Sequence, residues 1–156
     1  MGKLAVGFIV TTAFLAGAFL WYTAEQAFYE PVVFQPGAEV RLVVLATGAP
    51  EAILVNDITG TDATSSPIKF RACFTTPHSL AMLSETYQAY PDAEPLFAPA
   101  SFDCFDAAEI GKALETGEAL AFLSEPDIQP GVDRVVAVFG DGRGYAWHQL
   151  TKSLKD

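Results

Sequence analysis

From Leu4 to Ala24 the chain carries no charged side chain, a run of 21 residues between Lys3 and Glu25. A helix of that length rises about 30 Å, the thickness of a bilayer's hydrocarbon core. The run is apolar on every side, so it offers no wet face to a soluble fold. Trp21 and Tyr22 close it, as aromatic residues do at a membrane–water boundary. These features predict a single-pass anchor with the remaining chain on one side. Ala13 and Gly17 stand four apart within it, a small-xxx-small pair that would admit a neighbouring helix.

A secretory signal peptide has a similar plan, and Ala16-Gly17-Ala18 fits its small-x-small cleavage pattern. The apolar run continues past Ala18 through Phe19-Leu20-Trp21-Tyr22, longer than a signal core needs, which favours retention. Before the span the positive groups are the terminal amine and Lys3. After it come Glu25 and Glu30, with no basic residue until Arg41. The positive-inside rule therefore predicts a cytoplasmic N-terminus and a periplasmic head in a bacterial inner membrane. Residues 1–30 are expected to form the anchor and a juxtamembrane extension, 31–150 one domain, and 151–156 a polar tail.

The formal net charge is −10. That sign argues against nucleic acid or anionic lipid as a partner and suits a basic periplasmic protein, or simply solubility. There are two cysteines, Cys73 and Cys104. Outside the cytoplasm such a pair most often forms a disulfide. No Cys-x-x-Cys occurs, and a redox or metal role is the weaker reading.

Beyond the anchor, Thr23 to Tyr29 is expected to continue as helix until Pro31, with Val32-Val33-Phe34 as a neck or first edge strand. Glu39 to Ala46 and Ala52 to Ile58 read as a strand hairpin. Thr59 to Pro67, rich in Gly, Thr, Asp and Ser, reads as a loop. Ile68 to Thr75 reads as a strand with Ile68, Phe70, Ala72 and Phe74 on one face and Lys69, Arg71 and Cys73 on the other. A helix opens after Thr76-Pro77, with Leu80, Met82, Leu83 and Tyr87 on one side. Tyr90 to Ser101, with Pro91, Pro95 and Pro99, reads as an extended loop with Leu96 and Phe97 tucked under it. Asp106 and Glu109 make a capping box for a helix over 107–115 that ends at Gly117. Its stripe is Ile110, Ala113 and Leu114. Glu118 to Ser124 reads as a strand and Glu125 to Gly131 as a turn region. Asp133 to Gly140 and Arg143 to Leu150 pair around Asp141-Gly142. The fold class is therefore α+β: one N-terminal transmembrane helix, then a compact domain with a mainly antiparallel sheet and about two helices.

No nucleophile elbow, Walker loop or zinc-protease motif occurs. Gly140-Asp141-Gly142-Arg143-Gly144 lacks the Lys-Ser/Thr and helix of a phosphate loop. His78 and His148 are the sole histidines. A tetrahedral site with Cys73 and Cys104 lacks any supporting spacing. Asp103 and Asp106 are conceivable as an acid–base pair, but capping already explains Asp106. No catalytic residue, cofactor or metal is expected. Tyr145, Trp147 and His148 form the most conspicuous aromatic group. Core packing is its default explanation, and a partner-binding patch is the sharper one.

Met1-Gly2-Lys3 with the anchor, Phe102-Asp103-Cys104-Phe105-Asp106-Ala107, and Asp133 to Val138 running into Asp141-Gly142-Arg143-Gly144-Tyr145-Ala146-Trp147-His148-Gln149 carry a resemblance. Together they resemble a group of small uncharacterised single-pass proteins of Rhodobacter- and Paracoccus-like alphaproteobacteria, a domain of unknown function. That resemblance implies an organism class and a topology, and no activity. The expectation is a non-catalytic accessory subunit or assembly factor of a larger inner-membrane complex, a respiratory electron-transfer complex being the best guess. The alternative is a membrane-anchored periplasmic ligand-binding or sensing module. An envelope thiol or metal enzyme is a third class.

Overall fold

A computed structural model describes residues 2–25 and 28–152. The apolar run forms helix α1, Gly2–Glu25. Over the span Gly2–Thr23, nothing from the rest of the described chain buries it. A helix that leaves Leu4, Phe8, Phe14 and Leu20 this bare meets the length and composition of a membrane anchor or a signal sequence.

The chain then turns directly into sheet. The elements are β1 (Tyr29–Pro31), β2 (Arg41–Val43), β3 (Pro50–Ala52), β4 (Asn56–Ala63), β5 (Arg71–Thr75), α2 (Leu80–Thr86), α3 (Ala107–Thr116), β6 (Ala119–Gln129), β7 (Val132–Phe139) and β8 (Arg143–Leu150). Six strands make one sheet in the order β1-β4-β5-β8-β7-β6, antiparallel at every join. β2 and β3 pair as a separate hairpin. The fold is α+β.

Side chains alternate across the sheet, so each strand feeds two cores. On one face Phe70, just before β5, and Ala72 and Phe74 of β5 meet Val136 and Val138 of β7, Ala146 of β8 and Phe122 of β6. The β2–β3 hairpin covers this face with Val40, Leu42 and Ile53, and α2 adds Leu83. On the other face Cys73, Val135, Ala137, Phe139, Tyr145 and Trp147 meet Phe105 and the Ile110–Ala113 stripe of α3. β7 is apolar on both sides because it is covered on both sides, as its unbroken Val-Val-Ala-Val-Phe run requires.

Local signals in the sequence set the helix ends. Asp106 caps α3 by accepting from the Ala108 and Glu109 amides, and Gly117 stops it in the left-handed conformation at φ 77°. Ser79 caps α2 by accepting from the Met82 amide, so that helix starts three residues later than Thr76-Pro77 suggests.

Three expectations are corrected. The stretch after the anchor is not helix as far as Tyr29: Phe28 has φ 82° and Tyr29 already pairs with Ala63. Residues 59–63 are not loop but the second half of β4, held between β1 and β5. Their Gly and Thr content serves packing: a β-carbon on Gly60 would lie 2.6 Å from the Phe34 ring and 3.2 Å from the Arg71 carbonyl oxygen. Lastly, β6 continues through Glu125-Pro126 to Gln129 with two register shifts, and its place at the sheet edge tolerates the proline.

Gly144 of β8 illustrates how closely the first core is filled. A β-carbon there would collide with the ring of Phe74, itself buried. Gly144→Ala is expected to lower stability by about 1–3 kcal/mol through overpacking, measured by thermal or urea denaturation.

Candidate functional site

Arg71 follows Phe70 on β5 and points to the opposite face, where it is 3% exposed. A guanidinium without water must find acceptors among its neighbours. It donates to the carbonyls of Ile68 (2.8 Å), Phe70 (2.6 Å), Leu96 (2.8 Å) and Phe97 (3.0 Å). Two of those acceptors belong to the proline-containing 90–101 loop, so one side chain fastens that loop to the sheet. Burial brings its pKa down to about 10, still well above neutrality, so it remains a cation.

The disulfide lies beside this clamp. Cys73 of β5 is bonded to Cys104, closing a separation of 31 residues that contains the whole loop. Both sulfurs are thereby bonded to each other, and neither is a free thiolate that could ligate a metal. Such a bond fits an oxidising compartment.

On the opposite face a polar row runs across the sheet near the same end. Arg134 of β7 lies over the Phe70 ring at 4.3 Å, approaches Glu125 at 4.0 Å and donates to Nε2 of His148 at 3.1 Å. Nδ1 of His148 lies 2.8 Å from the Pro67 carbonyl, which can only accept. These contacts together fix the neutral tautomer with its proton on Nδ1. His148 also stacks on Phe70 at 4.6 Å. Both ring nitrogens are thus engaged, and the ring holds the Pro67 carbonyl in place.

A cleft of about 370 Å³ opens beside this row, lined by Phe28, Glu30, Asp62, Ser65, Pro67 and Gln129 among others. Glu30 and Asp62 are direct cross-strand partners, an unfavourable pairing of like charges. Asp62 has its pKa raised, chiefly by burial, while its amide partner Ala63 and the charges of Arg134 and Arg71 act in the other direction. Chemically the cleft suits a small cation or a hydrogen-bond donor.

The structure scatters the other candidates. Tyr145 (7% exposed), Trp147 (0%) and His148 (4%) are buried, so the proposed partner patch is corrected to core. Trp147 donates its indole N–H to Gln149 at 3.0 Å, and Phe105 meets both Tyr145 and Trp147 edge-on. His148 faces away from the other two because successive strand residues alternate. His78 accepts from the Leu54 amide at 3.3 Å and lies apart from the disulfide. Asp106 is a cap, and the Gly140–Gly144 stretch is the β7–β8 turn with Gly142 at φ 92°. Among the described residues no group of three or more His, Cys, Asp or Glu side chains is arranged around a metal position. Ala13 and Gly17 lie on the bare helix.

An aromatic residue of the head that does face outward is Phe97, 83% exposed where the sequence suggests a tucked ring. The residues missed by sequence reasoning are Arg71 as a clamp and Arg134 with His148 as a row. An available signal was a lone arginine inside the apolar Phe70-Arg71-Ala72-Cys73-Phe74, which must find internal acceptors.

A family model described as a family of unknown function, DUF6446, matches residues 40–156. The chain belongs to that family. The match takes in both faces of the sheet, the disulfide and the Arg71 clamp, and begins after α1 and β1. No curated protein and no solved structure matches the chain.

Two outcomes test this reading. Cys104→Ser is expected to lose about 3–4 kcal/mol by releasing a loop of 31 residues, and the wild type should lose a similar amount under reductant. Equal melting temperatures would exclude a stabilising bridge. His148 has its pKa lowered to about 4, mainly by burial, with the Arg134 charge acting in the same direction. A base whose folded pKa lies below its unfolded value of about 6.5 stabilises the fold fully above that value and loses the contribution as pH falls toward 4. Between pH 7 and 4.5 the wild type should therefore lose about 2 kcal/mol more than His148→Gln, measured by urea denaturation.

Proposed function

We propose that this DUF6446 protein is a non-catalytic accessory subunit or assembly factor of a larger membrane complex. Its head lies in the periplasm and its N-terminus in the cytoplasm. The observation that carries this reading is the pairing of a bare apolar span with a head whose buried reactive groups are spent on holding it together. The span meets the requirements for crossing lipid. The sulfurs are bonded to each other, and His148 and Arg71 hold backbone carbonyls. The disulfide supports the oxidising side of the membrane, and Lys3 before the span supports the orientation. The resemblance to single-pass proteins of Rhodobacter- and Paracoccus-like bacteria supports an inner membrane and, more narrowly, a respiratory electron-transfer complex. Ala13 and Gly17 are the positions of α1 best suited to meet a partner helix.

The test is extraction in mild detergent followed by a native gel. The expected result is migration with a much larger assembly whose membrane subunits co-purify, and weakening of that association by Gly17→Leu. Migration as a lone species of 16.7 kDa would reject the reading. The cleft beside Glu30 and Asp62 favours a second reading, a periplasmic ligand-binding or sensing module. A rise in melting temperature with small amines, lost in Asp62→Asn, would select that reading.

A further inference from the structure

The two ends of the six-stranded sheet differ in what they hold. At one end the chain arrives from α1: Tyr29 pairs with Ala63, and nearby lie the β4–β5 turn, the Gln129↔Val132 turn and Leu150, which pairs with Val132. At the other end lie the Gly142 turn, Thr76 and Leu54, linked by Thr76 N–H to the Gly142 carbonyl and the Thr76 hydroxyl to the Leu54 carbonyl. Phe28 is three residues beyond the last residue of α1, a reach of about 10 Å at most. The first end must therefore lie close to whatever surface α1 enters.

The 90–101 loop is fastened at that same end. Asp92 accepts from Gln149 through its carbonyl at 2.9 Å and from Lys152 through its carboxylate at 3.2 Å. Further along, Arg71 grips the carbonyls of Leu96 and Phe97, and Arg71 itself pairs with Thr61, which pairs with Pro31 of β1. Arg71 stands two strands from β1, about 10 Å across the sheet, and its side chain holds the Phe97 backbone above that face, where the ring borders Phe102, Asp103 and Asp106. Yet its ring is 83% exposed, and Phe28 is 59% exposed. Pro95 and Pro99 flank the ring and limit the loop's freedom to fold it inward. A pinned backbone that holds an apolar ring outward, on the side of the molecule that the anchor ties to lipid, is a feature suited to the headgroup–acyl boundary.

We propose that Phe97, with Phe28, seats in the interfacial zone of the bilayer that holds α1, so that the anchor-side end of the head rests on the membrane. The partner is the lipid surface itself, zwitterionic because the acidic Glu30, Asp62, Asp92 and Asp127 near this end outnumber Lys69 and Lys152, so no net positive charge is offered to anionic headgroups. The inference rests on the anchored reading of α1.

The full chain with Trp21→Phe, reconstituted in phosphatidylcholine vesicles, provides the test. Trp147, completely buried, gives a constant background. One variant adds Phe97→Trp and a second adds Leu54→Trp, an exposed position at the far end. The indole at position 97 is expected to lose intensity with brominated acyl chains and to be shielded from iodide, whereas the indole at position 54 shows neither effect. An indole at position 97 that iodide quenches as readily as at position 54, in protein that floats with the vesicles, overturns the proposal and leaves the anchor intact. Failure to float overturns the anchored reading and the proposal with it. Shielding of position 97 that needs added membrane-protein extract and occurs without bromine quenching assigns the ring to a protein partner and equally overturns the lipid contact.

Discussion

The head depends on one buried cation. Arg71 opens an apolar strand and pairs with Trp147, which in turn pairs with Val135, so an unpaired guanidinium there would be intolerable. Its four carbonyl partners come from the β4–β5 turn, its own strand and the 90–101 loop. Satisfying the charge therefore dictates where two irregular segments run. A hydrophobic residue of similar size would fill the space, but it would not specify the path of the loop, because packing is tolerant of direction and hydrogen bonds are not. Phe105 adds a face to the same group, its ring 5.6 Å from the guanidinium carbon.

The disulfide then acts on a segment already positioned. Cys73 is two residues from Arg71 on the same face, and Cys104 adjoins Phe105. The loop between them is held near its middle by the arginine and at its end by the bond. Without the arginine, the first part of the closed segment would still be held by α2, the Tyr87 and Ala89 bridges and Gln149, but Leu96 and Phe97 would lose their tie to the sheet. Without the bond, Phe105 and the start of α3 would rely on packing alone. The restraints are of different kinds, electrostatic and chain-entropic, and they act on one element.

What the sequence revealed follows the range of the interactions involved. The α3 cap, the Gly117 stop, the β7–β8 turn and the alternation of Phe70, Ala72 and Phe74 against Cys73 are set within a few residues, and all were legible. β4 was not, since Thr59 to Ala63 becomes strand only because β1 and β5 lie on either side and Phe34 leaves room for glycine alone. Aromatic content was visible at Tyr145 and Trp147, but burial depends on α3 and Phe105 arriving over that face. The inverse error at Phe97 has the same origin: a hydrophobic ring in a loop is assumed to turn inward unless the backbone's distant partner is known. The cysteine pair was legible because its chemistry allows few alternatives in an oxidising compartment.

Restraint is distributed unevenly along the strands. At the end nearest α1 the ties are mostly part-buried, Arg71 to four carbonyls, His148 to Pro67, Gln149 to Asp92 and Glu94, with the exposed Lys152–Asp92 pair beside them. At the far end the notable ion pairs are exposed ones joining Arg143 to Asp141 and Glu109. Pairs of that kind contribute little, because water and salt compete for both charges. The chain passes from α1 into the head through its first strand. β1 is short, at a sheet edge, and paired with β4 alone. The contacts next to that strand are the less exposed ones, so water and salt screen them less than the Arg143 pairs at the far end.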